Sequence, residues 1–298
     1  MELDQKIENL VKPISEFFTE IIFVSVSLQN NSLPIVVIWL VFASLFFTFY
    51  FRFINIRAFK KAILVAIGKY DKPNSPGEIT HFQAFTTAMS GTIGLGNIAG
   101  VAVAISIGGP GAMLWMIIMA FFGMTLKFVE VSLGHKYRKI YPDGTVSGGA
   151  IRYLSSGLKE HGFPNLGKFL AVMFAICCIG GSFGGGNMFQ ANQAFQQIII
   201  ASGGENSPFY ERGWLGGLVF AFIVGSIIIG GIKSIGKVTE KLVPIMGGLY
   251  CLACIYIIFT NYSLIPETFY VIFFNAFSTE ATFGGVVGVM IAGIKRAV

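Results

Sequence analysis

Residues 91–100, Gly91-Thr92-Ile93-Gly94-Leu95-Gly96-Asn97-Ile98-Ala99-Gly100, set glycines, a threonine and an asparagine in the middle of an otherwise apolar run. Glycine weakens helical hydrogen bonding, and side-chain amides add polar groups that insertion into lipid does not need. A helix broken in this way is tolerated only against protein or a wet cavity. Its freed amides suit a carboxylate, and its freed carbonyls suit a cation or an ammonium group. Two other readings use the same residues. Gly94-x-Gly96-x-x-Ala99 superficially matches a dinucleotide fingerprint, but that motif needs a preceding strand and a βαβ context that this stretch lacks. Gly96-x-x-x-Gly100 is also a small-residue pattern for close helix packing.

A second constellation spans Gly180–Asn192, GGSFGGGNMFQAN. Asn187 and Gln190 are three residues apart and so share one helix face. They can form the polar wall of a solute pocket, with Gly184–Gly186 allowing close backbone approach; the alternative is hydrogen bonding between helices. Lys127 and Glu130 at i, i+3 read as a structural ion pair, and Glu280 is an acid inside an apolar run. His81, His135 and His161 lie near the ends of such runs without forming a metal or catalytic set. Cys177, Cys178, Cys251 and Cys254 all sit within apolar runs, and Cys251-x-x-Cys254 has no second pair or nearby histidine. No nucleophile–base pair and no facing carboxylates occur, which argues against an enzyme.

The elements that must position these residues are set by hydrophobicity. The chain is 54% hydrophobic and only 12% charged, with a mean hydropathy of +0.71. That much apolar surface cannot be hidden from water, so lipid is the solvent and the fold is an all-α integral membrane protein. The net charge of +6 is not gathered into a patch with interleaved aromatics, which sets nucleic-acid binding aside.

Residues 1–33 read as an amphipathic amino-terminal segment, with a helix over 5–28 lying at the membrane interface. Residues 34–298 read as a polytopic domain of about seven spans, each needing ~20 apolar residues. The expected spans are 34–53, 80–106, 112–134, 168–200, 214–232, 243–260 and 269–294, the last broken by Gly284, Gly285 and Gly288. Gly108-Gly109-Pro110-Gly111 and Tyr141-Pro142-Asp143-Gly144 are expected turns, and 148–157 a short surface helix. The connections 52–79, 135–168, 233–241 and 295–298 hold seventeen of the 21 Lys and Arg residues, against three on the opposite side. This asymmetry puts those connections in the cytoplasm and the amino terminus outside.

The stretch Phe82–Arg138, with GTIGLGNIAGVA, GGPGAMLWM and FFGMTLKFVE in order, closely resembles the sodium:alanine (alanine or glycine:cation) symporter family. GGNMFQAN at 185–192 and GGIKSIGKVTEKLVPIMGGLY at 230–250 look like further blocks of that family. The resemblance implies about eleven helices, roughly ten of them in two inverted repeats of the leucine-transporter type, with the first helix of each repeat broken. It makes 80–106 the first broken helix, 269–294 its inverted counterpart and 168–200 a helix lining the site. It further implies a chain truncated after the start of the second repeat, with the missing carboxy-terminal half as a partner.

The function this implies is sodium-coupled symport of a small neutral amino acid, alanine or glycine, across the cell membrane, with no cofactor and Na+ as coupling ion. Substrate-binding residues are then Gly94, Gly96, Asn97, Asn187 and Gln190. The backbone carbonyls of Thr92 and Ile93 would help to hold sodium. Sodium comes from the resemblance; the residues by themselves leave a proton open, although no central acid stands out as its carrier. A passive channel and a non-transporting fragment or assembly subunit are the rival readings.

Overall fold

The computed structural model describes residues 12–13, 24–28, 31–71, 77–184, 187–210 and 212–277. The readings for 5–11, 14–23, Gly185, Gly186, Glu280, Gly284, Gly285 and Gly288 therefore lie outside the described residues. The chain divides into two units: 1–56 with 101–127 and 263–298, and 57–100 with 128–262.

In the first unit, β1 (Ser25–Leu28) and β2 (Asn31–Pro34) pair antiparallel, with Ser25 opposite Pro34. This corrects the interfacial helix expected over 5–28 at its carboxy-terminal end. Val24, Val26 and Leu28 alternate with Ser25 and Ser27, a period of two that favours a strand. Ile35 N–H donates to the Val24 carbonyl at 2.8 Å, joining the hairpin to α1 (Ile35–Tyr50). Two short helices follow, α2 (Ile54–Arg57) and α3 (Phe59–Ala66), the latter belonging to the second unit.

The expected span 80–106 is two helices, α4 (His81–Thr92) and α5 (Leu95–Gly108). Gly109, at φ +74, makes the expected turn into α6 (Ala112–Lys136). Within the first unit, α6 is clasped by polar groups. Asn55 Nδ2 donates to the Phe121 carbonyl at 3.0 Å and Thr48 Oγ1 to that of Phe122 at 3.4 Å. Gly111 permits a close approach to the end of α11 (Ile265–Phe277): a Cβ there would lie 2.4 Å from the Ala276 nitrogen, and Trp115 Nε1 donates to the Ala276 carbonyl at 3.2 Å.

In the second unit, β3 (Lys139–Ile140) and β4 (Val146–Ser147) form a hairpin around the expected turn, closed by Gly144 N–H to the Tyr141 carbonyl at 3.0 Å. Asp143 Oδ1 accepts from the Thr145 hydroxyl and amide at 2.7 and 3.0 Å, and these bonds hold its carboxyl below the ordinary aspartate range. The surface helix expected over 148–157 is present as helical pieces over 150–160, with a π-turn at Tyr153–Gly157.

The expected span 168–200 is described as α7 (Pro164–Gly184) and α8 (Asn187–Ala201), followed by α9 (Gly213–Ile228). The connection expected at 233–241 is corrected: α10 (Gly231–Thr260) runs straight through it. Its charged residues are interspersed with apolar ones at helical spacing, so the basic run forms the first turns of a long helix rather than a loop. Among the described residues, four segments are long and apolar enough to span a membrane: 81–108 counted across its break, 112–136, 164–182 and 231–260. α1 and α9 are shorter apolar helices.

Candidate functional site

The amino terminus of α4 is locally determined. Thr80 Oγ1 accepts from Gln83 N–H at 3.1 Å while Gln83 Oε1 accepts from Thr80 N–H at 3.2 Å, a reciprocal capping box. His81 additionally pairs with Asp71. Twelve residues later the helix stops at Ile93, whose φ −88 and ψ 71 leave the helical region. The chain re-enters a helix at Leu95, and Asn97 and Ile98 N–H both donate to the Gly94 carbonyl at 3.1 Å. The break expected from the glycines is therefore present, over Ile93 and Gly94.

Asn97 has a specific place in it. Its Nδ2 donates to the Thr92 carbonyl at 2.5 Å, bridging the end of α4 to the start of α5. One predicted site residue thus engages another, and Thr92 keeps a second lone pair on that oxygen. Gly96 lies in the first turn of α5, where amides have no partner within the helix.

Gln190, far away in sequence, comes to the break. A Cβ built on Gly94 would lie 3.3 Å from Gln190 Nε2. The α8 amide therefore lies against a backbone position whose lack of a side chain leaves it room. Asn187 opens α8; its side chain lies outside the described part of the structure.

α10 forms another wall. Gly236 comes against Ile79 and Gln83, and Gly247 against Ile93: an added Cβ would lie 3.3 and 3.4 Å from the first two and 3.4 Å from Ile93 Cδ1. Between them, Thr87 Oγ1 and Thr239 Oγ1 are 2.9 Å apart, and Gln83 Nε2 donates to Glu240 Oε2 at 2.9 Å. Residue numbers rise together along both helices, so α4 and α10 run parallel.

Gln83, Thr87, Thr239 and Glu240 were not singled out in the sequence. A signal was present in the first two: Gln83, Thr87, Ser90 and Gly94 follow i, i+4, i+7, i+11 and mark one polar face. Glu240 was hidden because its stretch read as a connection. A separate cleft of about 380 Å³, lined by Glu130, His135, Arg138, Gly149 and Tyr153 among others, contains none of the predicted site residues.

Comparisons with known proteins show the family. The sodium:alanine symporter family matches residues 16–298. Sodium/alanine symporter AgcS of Methanococcus maripaludis is 40% identical over 280 residues, covering 93% of this chain and 60% of the relative. Amino-acid carrier protein AlsT of Bacillus subtilis is 33% identical over 253 residues, covering 85% of this chain and 50% of the relative. A third relative, from the same bacterium and named "Probable sodium/glutamine symporter GlnT", is 32% identical over 276 residues, covering 92% and 54%. The chain thus spans between half and three fifths of the length of these relatives. With its apolar helices and its broken helix, it is a multi-pass membrane protein of a transporter family rather than an enzyme, and it belongs to the sodium:alanine symporter family.

Proposed function

We propose that these residues form the substrate-binding part of a sodium-coupled symporter for a small neutral amino acid, with alanine and glycine as the first substrates to test. The observation that carries this reading is the apposition of Gln190 to Gly94 at a helix break. Main-chain amides at Gly94 and Gly96 suit the amino-acid carboxylate, because the start of a helix offers donors and a favourable dipole, and Asn97 shapes the break through its bond to the Thr92 carbonyl. Gln190 supplies the side-chain amide of the facing wall, and Asn187, three residues before it on α8, is the candidate for a second. The carbonyls of Thr92 and Ile93, at the end of α4, suit sodium and the substrate ammonium group.

Gly94 lacks a side chain and Gln190 lies close over it, since a carbon added there would stand 3.3 Å from Gln190 Nε2. This favours alanine and glycine over larger residues. The name of the glutamine-related relative marks the alternative that a full-length protein tests directly. In this reading α4–α5 is the first helix of a leucine-transporter-like inverted repeat, the amino terminus lies outside, and Gly94 is a hinge of alternating access.

The test is radiolabelled alanine uptake into vesicles bearing the full-length protein that contains these residues, with and without an inward sodium gradient. Accumulation that needs the gradient is the expected result. Flux indifferent to sodium would identify a passive pore, and competition by glutamine stronger than by glycine would overturn the small-substrate assignment.

A further inference from the structure

We propose that Glu240 is a positioning residue: acting through Gln83, its carboxylate holds α4, and with it the break at Ile93–Gly94, in the register that binding requires. The inference rests on the transport reading of that break.

Glu240 lies half-buried among the charged first turns of α10, and Gln83 meets it with an amide engaged at both ends. Gln83 Oε1 accepts from Thr80 N–H at 3.2 Å and Gln83 Nε2 donates to Glu240 Oε2 at 2.9 Å. A primary amide has one accepting end and one donating end, so both bonds demand the same orientation. Glu240 therefore fixes the amide that closes the cap of α4. The Thr87–Thr239 contact at 2.9 Å repeats the tie one turn further on. Small residues let the two helices approach: Gly236 beside Gln83 and Gly247 beside Ile93. From Gln83 to Thr92 the helix rises about 14 Å at ~1.5 Å per residue. Rotation or sliding of α4 at its capped end is thus delivered to the carbonyls of Thr92 and Ile93. Neither Gln83 nor Glu240 is placed in contact with substrate.

A reciprocal swap tests this. In Q83E two carboxylates meet and the donor to Glu240 is gone. In Q83E/E240Q the amide and carboxylate exchange places, leaving one donor, one acceptor and the Thr80 N–H bond available. E240Q alone keeps an accepting oxygen for Gln83. Half-saturating sodium and alanine concentrations are measured at matched surface amounts. Q83E and E240A are expected to raise both about tenfold, in line with loss of a charge-assisted hydrogen bond. The swap, which restores a charge-assisted bond, is expected within about twofold of the parent protein, and E240Q, which keeps a neutral one, between the parent and E240A.

Unchanged half-saturation in E240A, or a swap as impaired as Q83E, overturns the proposal. A loss confined to maximal rate would show a folding role instead and also overturns it. If E240A does not reach the membrane, Q83E and the swap decide. A cysteine at Ala88, on the exposed side of α4, in a background lacking Cys177, Cys178, Cys251 and Cys254, reads the same swap without transport. Maleimide labelling is expected to quicken in Q83E and return to the parent rate in the swap. Absence of sodium-driven alanine uptake by the parent protein would refute the transport reading, while the labelling arm still decides the role of Glu240.

Discussion

Replacing Gly94 by alanine separates binding from folding at this site. Gly94 does not lie at positive φ, so an alanine meets no backbone strain. Substituting alanine for glycine at a compatible position raises stability by about 0.4–1 kcal/mol through the unfolded chain. The added carbon would stand 3.3 Å from Gln190 Nε2, closer than ordinary van der Waals contact, and 3.9 Å from the Gly91 carbonyl oxygen. Gln190 must shift by a few tenths of an ångström, and the methyl fills the space between two polar walls. If one charge-assisted hydrogen bond to the substrate carboxylate is lost, the cost is about 1.5–3 kcal/mol, or roughly a ten- to 150-fold rise in half-saturating alanine.

The assay is sodium-driven alanine uptake at matched surface amounts, with thermal stability measured in detergent. Gly94→Ala is expected to insert normally, melt no lower than the parent and bind alanine weakly. In a Gln190→Ala background the same substitution is expected to cost less, since neighbouring groups are not additive. Unaltered alanine affinity in Gly94→Ala would refute the reasoning, and so would fully additive effects with Gln190→Ala.

Other substitutions probe separate links. Asn97→Asp removes the donor that bridges to the Thr92 carbonyl and sets a carboxylate against that oxygen; uptake should fall more than in Asn97→Ala, which loses about 0.5–1.5 kcal/mol. Sodium-dependence curves for both variants check it. Gly216→Ala would bring a carbon to 2.2 Å from the Phe195 ring within the second unit; overpacking of this kind costs about 1–3 kcal/mol, and Phe195→Leu should restore part of the lost melting temperature. At the β3–β4 turn, Thr145→Val should raise the titration midpoint of Asp143 toward its ordinary value, because the hydroxyl bond is the largest cause of its depression. With the folded value depressed, the stabilisation from Asp143 is present above the unfolded midpoint of about 3.9 and is lost as pH falls through the folded one. NMR titration of the Asp143 carboxyl measures the shift.

The helix break at the candidate site was legible in residue order. The break at Ile93–Gly94 follows from Gly91, Gly94, Gly96 and Asn97, all within a few residues of one another. Local chemistry of that range is written directly in residue order: glycine lowers helical propensity, and a side-chain amide reaches a carbonyl five residues back. The turns at Gly109 and Gly144 were legible for the same reason. The apolar runs announced membrane helices because lipid demands a stretch of nearly uninterrupted hydrophobicity.

Other features were decided only in three dimensions. Residues 233–241 carry three lysines and one glutamate, a composition shared by loops and by exposed helix turns; packing along α4 shows that they belong to α10. The strand at 25–28 needed its partner at 31–34, since a short amphipathic stretch fits either period until something pairs with it. The sequence determined, through interactions between near neighbours, that a membrane helix would be ruptured at Gly94. That Gln190 lies over the rupture and Glu240 grips its base through Gln83 came from packing between distant segments. The physical reason is that contacts between distant segments depend on the rotation of each helix about its own axis, which close packing of all its neighbours sets together.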